Sequence, residues 1–185
     1  DILEDKNIFV QGIGNVGEAL VEHLANEGAK VTISDISQER LQEVKSKYDV
    51  TIYGGSDIYS EEMDIYAPCA LGATINDNTI NKLRADIIAG AANNQLANEL
   101  RHGTLLQERG IVYAPDFLIN AGGIINVYAE LENYGKAEIM RKTENIYNTT
   151  LEIFENARQN NLSTHNAALN IAKDRIATRK RENAK

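Results

Sequence analysis

Three glycines within six positions, Gly12-x-Gly14-x-x-Gly17 in "FVQGIGNVGEAL", are the residues whose types and spacing point most directly to chemistry. Glycine clusters also serve ordinary tight turns, so the pattern alone decides little. Its setting adds content. The apolar run "NIFVQ" leads straight into the loop and a helical pattern opens directly after it. The unpaired backbone N–H groups at that helix start therefore favour an anion. In this reading Gly12 permits the turn, Gly14 lets the backbone approach a pyrophosphate, and Gly17 lets helix and strand pack closely. Asp35 closes the next apolar run, "KVTISD", 18 residues beyond Gly17. A carboxylate there accepts hydrogen bonds from adenosine ribose hydroxyls and repels a 2′-phosphate. The combination predicts a dinucleotide site that prefers NAD to NADP.

The elements that must position these residues alternate in type. Strand-like runs fall at 7–11, 30–34, 50–53, 64–67, 86–90 and 111–114, with amphipathic stretches between several of them. Ala19, Leu20, His23 and Leu24 keep helical spacing, and Gly28 reads as that helix's C-terminal cap. A second helix starts near Ser37, with Leu41 and Val44 on one face and Ser37 or Asp35 as N-terminal cap. Strands separated by helices predict a Rossmann-type α/β fold, a doubly wound and mostly parallel sheet. After Pro115 the chain reads as helical, with breaks near Gly135 and at 160–165. The last helix carries Ala168, Ala172 and Ile176 on one stripe. It ends in "RKRENAK", which complements the helix dipole or forms an interaction tail. Residues 1–134 are read as the dinucleotide-binding domain and 135–185 as helices packing on it.

In an open parallel sheet a ligand lies beyond the carboxyl ends of the strands. Three further loops fall there: "YAPCALGATIN" (66–76), "AGAANNQLAN" (89–98) and "YAPDFLINAGGIINV" (113–127). Small residues admit a flat ring, and amides supply donors and acceptors without adding charge. The alternative is ordinary loops with asparagine as a turn former.

Composition narrows the field. The 185 residues are 43% hydrophobic, enough for a real core. With 19 Lys and Arg against 27 Asp and Glu, the net charge is −8, which argues against nucleic acid or an anionic membrane as partner. No apolar run reaches the roughly 18–20 residues of a membrane span. The N-terminus lacks the basic start and apolar stretch of a secretory leader. One cysteine excludes an internal disulfide, and no Cys/His cluster has metal spacing. These features predict a soluble, cytoplasmic protein. The chain starts without methionine on the approach to a strand, which predicts a piece of a longer protein.

Taken together, "QGIGNVGEALVEHL", "YAPCALG", "AGAANNQL" and "GIVYAPDFLINAGGIINV" resemble the coenzyme-binding domain of the glutamate/leucine/phenylalanine/valine dehydrogenases, nearest the leucine and phenylalanine branch. The resemblance runs in register from about Leu3 to Tyr128. It implies oxidative deamination, in which an L-amino acid, NAD⁺ and water give a 2-oxo acid, ammonium and NADH. By position, Asn15 and Val16 would join Gly12, Gly14 and Gly17 at the pyrophosphate, with Ile36 beside Asp35 at the ribose. Cys69, Ala70 and Leu71 would line the adenosine and nicotinamide-ribose side, together with Ala91. Asn94 would orient substrate or nicotinamide ribose, and Asn120 would hold the carboxamide. Cys69 is read as a packing residue, since nothing nearby would lower its thiol pKa. Ile124 and Val127 match pocket positions, where glutamate-specific members tend to place a hydroxyl at the second. Two branched apolar residues have nothing to offer a γ-carboxylate, so the substrate is expected to be apolar. The alternative makes both residues helix core.

The acid–base groups of that family, two lysines and an aspartate, stand in an N-terminal domain, the lysines in a glycine-rich motif. No such motif occurs in this chain. Lys6 and Lys30 flank the starts of strands, at the opposite end of the sheet. His23 reads as packed or surface, His102 in "RHG" as a loop anchor and His165 as a helix cap. The chain alone is therefore expected to be silent, with the chemistry roughly 150–180 residues upstream in a homo-oligomeric parent. A competing reading is a stand-alone NAD-sensing module that reports to a partner without chemistry.

Overall fold

A computed structural model describes residues 3–183. Six strands form one sheet: β1 (Asn7–Gln11), β2 (Lys30–Ser34), β3 (Val50–Ile52), β4 (Glu62–Pro68), β5 (Arg84–Ile88) and β6 (Val112–Tyr113), in the order β3-β2-β1-β4-β5-β6. Each of the five pairings is parallel, so the sheet is wholly rather than mostly parallel. Every strand therefore delivers its carboxyl end to one edge. The order reverses between β1 and β4, the switch point at which such sheets open a crevice.

Burial explains the strands. Ile8, Phe9 and Val10 are all buried, as a strand covered on both faces requires. Ile8 and Val10 pack with Val21, Leu24, Leu41 and Val44 of helices α1 (Asn15–Asn26) and α2 (Gln38–Lys47). Phe9 points to the other face, in a cluster with Tyr66, Ile88 and Leu106 of α3 (Glu99–Glu108). Gly28, at φ +79°, ends α1: the N–H groups of Gly28 and Ala29 return to the carbonyls of Ala25 and Leu24. Ser37 caps α2 by accepting the Arg40 N–H, whereas Asp35 is not a cap and turns instead toward the glycine loop.

The C-terminal part is α4 (Asp116–Ile119), α5 (Gly122–Glu132), α6 (Lys136–Asn160) and α7 (Thr164–Asn183). The breaks fall where expected, at Gly135 and at 161–163. The stripe on α7 is covered only at its start: Ala168 is buried, with His165 and Ala167, while Ala172 and Ile176 are exposed. The first turns of α7 share a small core with Ile153 and Ala157 of α6, and farther along Arg175 pairs with Glu152 of α6 at 2.5 Å. The "RKRENAK" run continues that exposed end, and its residues 184 and 185 lie outside the described residues. No described helix is long and apolar enough to cross a membrane.

Two of the three histidines are placed differently from expectation. His102 lies within α3, not in a loop; its Nδ1 accepts the Asn98 N–H and its Nε2 meets Asp77 Oδ1 at 3.1 Å. The helix cap is Ser163, whose hydroxyl accepts the Asn166 N–H, while His165 is buried edge-on to Phe117. His23 is on the exposed face of α1.

Candidate functional site

The glycine loop joins β1 to α1 at the switch point. Gly12 has φ +94°, and a Cβ there would come within 2.5 Å of the Ala70 side chain. A Cβ on Gly17 would stand 2.1 Å from the Gly12 carbonyl oxygen, so helix and loop touch backbone to backbone. At Gly14 a Cβ would meet nothing within 4 Å, so the space ahead of α1 is open. Gly14 is the N-cap, and the first helical hydrogen bond runs from the Glu18 N–H to its carbonyl. The N–H groups of Asn15, Val16 and Gly17 precede that bond and project from the helix start. An open approach to three helix-start donors fits the phosphates of a dinucleotide.

The middle residue of the loop is gripped on both sides. Ile13 donates its N–H to Asp35 Oδ2 at 2.9 Å and gives its carbonyl to Arg40, at 3.3 Å from Nε and 3.0 Å from an Nη. Arg40 also pairs with Glu18 of α1 at 2.9 Å. Asp35 Oδ1 accepts the Ser37 N–H at 2.9 Å. Each Asp35 oxygen has thus used one acceptor direction and keeps another free. Ile36, next along, is fully exposed.

Several of the residues singled out from the sequence are joined by contacts along the edge. Ala70 abuts Gly12, and the Cys69 N–H donates to the Gln11 carbonyl. Cys69 Sγ accepts the Ala91 N–H at 3.5 Å, and burial raises the thiol pKa, which suits packing rather than nucleophilic attack. Gly72 lies against the carbonyls of Asn93 and Asn94. Asn94 takes a left-handed backbone, φ +53°, with its side chain exposed. Asn120 donates to Asn93 Oδ1 at 2.7 Å. Leu71 is exposed beside Gly72. Ile124 and Val127, one and two turns past Asn120 on α5, are 70% and 60% exposed, so the core reading of these two does not hold.

Sequence reasoning missed Ile13, Arg40, Asn93, Gln95 and Asp116. The first two carry no local signature. Asp116 offered one, a charged residue inside the apolar run "YAPDFLI". No cluster of metal-ligating side chains occurs among the described residues. Lys6 and Lys30 pair with Asp64 and Asp5 around the amino ends of the strands, away from this edge.

Comparison with known proteins adds to this geometry. The family described as Glutamate/Leucine/Phenylalanine/Valine dehydrogenase matches residues 32–183. The leucine dehydrogenase of Bacillus cereus is 47% identical over 180 residues, covering 97% of this chain and 49% of its own length. The L-tryptophan dehydrogenase of Nostoc punctiforme is 45% identical over 183 residues, 99% of this chain and 52% of its own. The crystal structure of that Nostoc enzyme superposes with a TM-score of 0.91 at 45% identity, over 95% of this chain and 53% of that one. The chain spans about half the length of the curated relatives it matches.

Proposed function

Because the chain belongs to the glutamate/leucine/phenylalanine/valine dehydrogenase family, we propose that it is the coenzyme-binding half of an NAD-dependent dehydrogenase of apolar L-amino acids. The leucine, valine and phenylalanine class is the expected substrate. The observation that carries this reading is the glycine loop, open at Gly14 and gripped at Ile13.

The dinucleotide, when bound, supplies the hydride acceptor for deamination to a 2-oxo acid and ammonium. This chain's own residues bind and orient. The N–H groups at the start of α1 hold the pyrophosphate, with Gly12, Gly14 and Gly17 keeping the backbone close. Asp35 accepts from the ribose and repels a 2′-phosphate. Asn94 and Asn120 present amides to the nicotinamide side, and Ile124 and Val127 give substrate an apolar wall. The acid–base groups belong to the other half of the enzyme.

Calorimetric titration of the chain with NADH and NADPH in parallel is the test. Saturable NADH binding with much weaker NADPH binding supports the reading; absence of binding by the folded chain sinks it. The companion assay mixes the chain with NAD⁺ and leucine, valine or phenylalanine. A rate above the enzyme-free blank would overturn the assignment of the acid–base groups elsewhere.

A further inference from the structure

The loops after β4, β5 and β6 are tied together from behind by Gln95 and Asp116, both buried under the edge. The Gln95 side-chain amide donates to the carbonyls of Gly90 at 2.6 Å and Ala92 at 3.0 Å, closing its own loop. Its backbone carbonyl accepts the Ile75 N–H at 3.0 Å, which brings in the β4 loop. Its backbone N–H points at Asp116 Oδ2, 3.4 Å away, which brings in the β6 loop.

Asp116 is held from its own side by Tyr113. The Tyr113 hydroxyl donates to Asp116 Oδ1 at 3.1 Å and accepts the Asp116 N–H at 3.2 Å. Burial, and then the Asp116 carboxylate, push the Tyr113 phenol above its ordinary pKa, so it stays protonated and continues to donate. Among the described residues no cation pairs with Asp116. A buried carboxylate without a cation is costly, and both of its oxygens are needed as acceptors. An asparagine would aim N–H against N–H at Gln95, or against a hydroxyl that already accepts.

What this tie fixes is the spacing of two amides, the exposed Asn94 and the half-buried Asn120. Asn94, immediately before Gln95, holds the left-handed backbone that asparagine tolerates better than other side-chain-bearing residues, and its carbonyl accepts the Ala73 N–H at 2.7 Å, which ties it to the β4 loop. Asn120 donates its N–H to the Asp116 carbonyl at 3.0 Å and its side chain to Asn93. We infer that Asp116 and Gln95 are positioning residues, which set the separation of the Asn94 and Asn120 amides and so the grip on the nicotinamide end of the coenzyme. Neither touches the ligand, and the inference rests on the dinucleotide reading of this edge.

The test compares two ligands on the chain and on its D116N and Y113F variants. NADH carries the nicotinamide; ADP-ribose keeps the adenosine and pyrophosphate and lacks it. Wild type binds NADH more tightly than ADP-ribose. Both variants weaken NADH about tenfold, the loss of one buried charge-assisted contact, while ADP-ribose changes less than about twofold. Y113F removes one hydroxyl without altering shape or charge, so it stays informative if D116N folds poorly. Equal weakening of both ligands, or unchanged NADH affinity in Y113F, overturns the inference. Wild type binding the two ligands equally also overturns it while leaving the dinucleotide reading intact. Wild type binding neither sinks that reading, and the inference with it.

Discussion

Asp35 and Ile13, 22 residues apart, are joined by a 2.9 Å hydrogen bond from the Ile13 N–H to the Asp35 carboxylate. The residue that would select the ribose therefore also shapes the loop that would hold the phosphates. Asp35→Ser is expected to act on both. NADH affinity should fall by about tenfold or more, for the loss of charge-assisted hydrogen bonds. The preference over NADPH should collapse, yet NADPH should not reach the affinity wild type shows for NADH, because the loop is loosened as well. Parallel titrations read this, and an unchanged ratio would remove Asp35 from coenzyme selection.

Gly14 and Gly17 make a contrasting pair. A methyl at Gly17 runs into the Gly12 carbonyl oxygen, so Gly17→Ala should destabilise by about 1–3 kcal/mol and weaken coenzyme binding as well. A methyl at Gly14 enters open space, so Gly14→Ala should cost under about 1 kcal/mol while blocking the approach of the pyrophosphate. Denaturant melts together with NADH titrations separate the two. A Gly14→Ala chain that binds NADH normally would mean that the phosphates lie elsewhere.

Arg40 grips the Ile13 carbonyl and Glu18 together, with its side chain one-third exposed. Arg40→Met releases both, and the partly solvated pair limits the stability loss to about 1 kcal/mol. Coenzyme affinity should fall further than stability, since the loop loses one of its two holds. Arg40→Lys keeps the charge but not the fork, and should recover only part of the affinity. Full recovery would show that charge rather than geometry matters at this position.

Stability should also depend on acid through Asp64. The Asn7 N–H, donated at 2.8 Å, and then Lys6 hold its carboxyl below the usual aspartate value. A carboxylate depressed in the folded state contributes stability that is complete above its unfolded value, near pH 4, and is lost as pH falls through the lower folded value. The melting temperature should therefore decline below about pH 4, and Asp64→Asn should flatten the decline. An identical pH profile in that variant would place the acid sensitivity on other carboxylates.

Much of the architecture could be read directly because it is local. The runs at 7–11 and 30–34 are apolar, are bounded by turn residues and became strands at those positions. The glycine loop carries its conformation in its own residue types. Gln95 and Asp116 could not be read this way. Their partners lie 21 residues apart, in separate loops, and become neighbours only when β5 and β6 pair. The exposure of Ala172 and Ile176 was not legible for a related reason. Helical spacing states which residues share a face but not whether another element covers that face, and on α7 the cover ends after its first turns, where His165, Ala167 and Ala168 are buried.

The strand order carries a consequence for how the chain acquires its shape. β1 is first in the sequence and central in the sheet, paired through Ile8 with both Val31 and Ile65. As the polypeptide grows, one side of β1 can be satisfied once residue 34 has emerged. The other side keeps a row of unmatched peptide groups until residue 68. Such parallel, sequence-distant pairing demands loop closure before it yields contacts, so β1–β4 association is expected to lag behind β1–β2. The interval between those two events is when nascent chains are most exposed to edge-to-edge capture by one another.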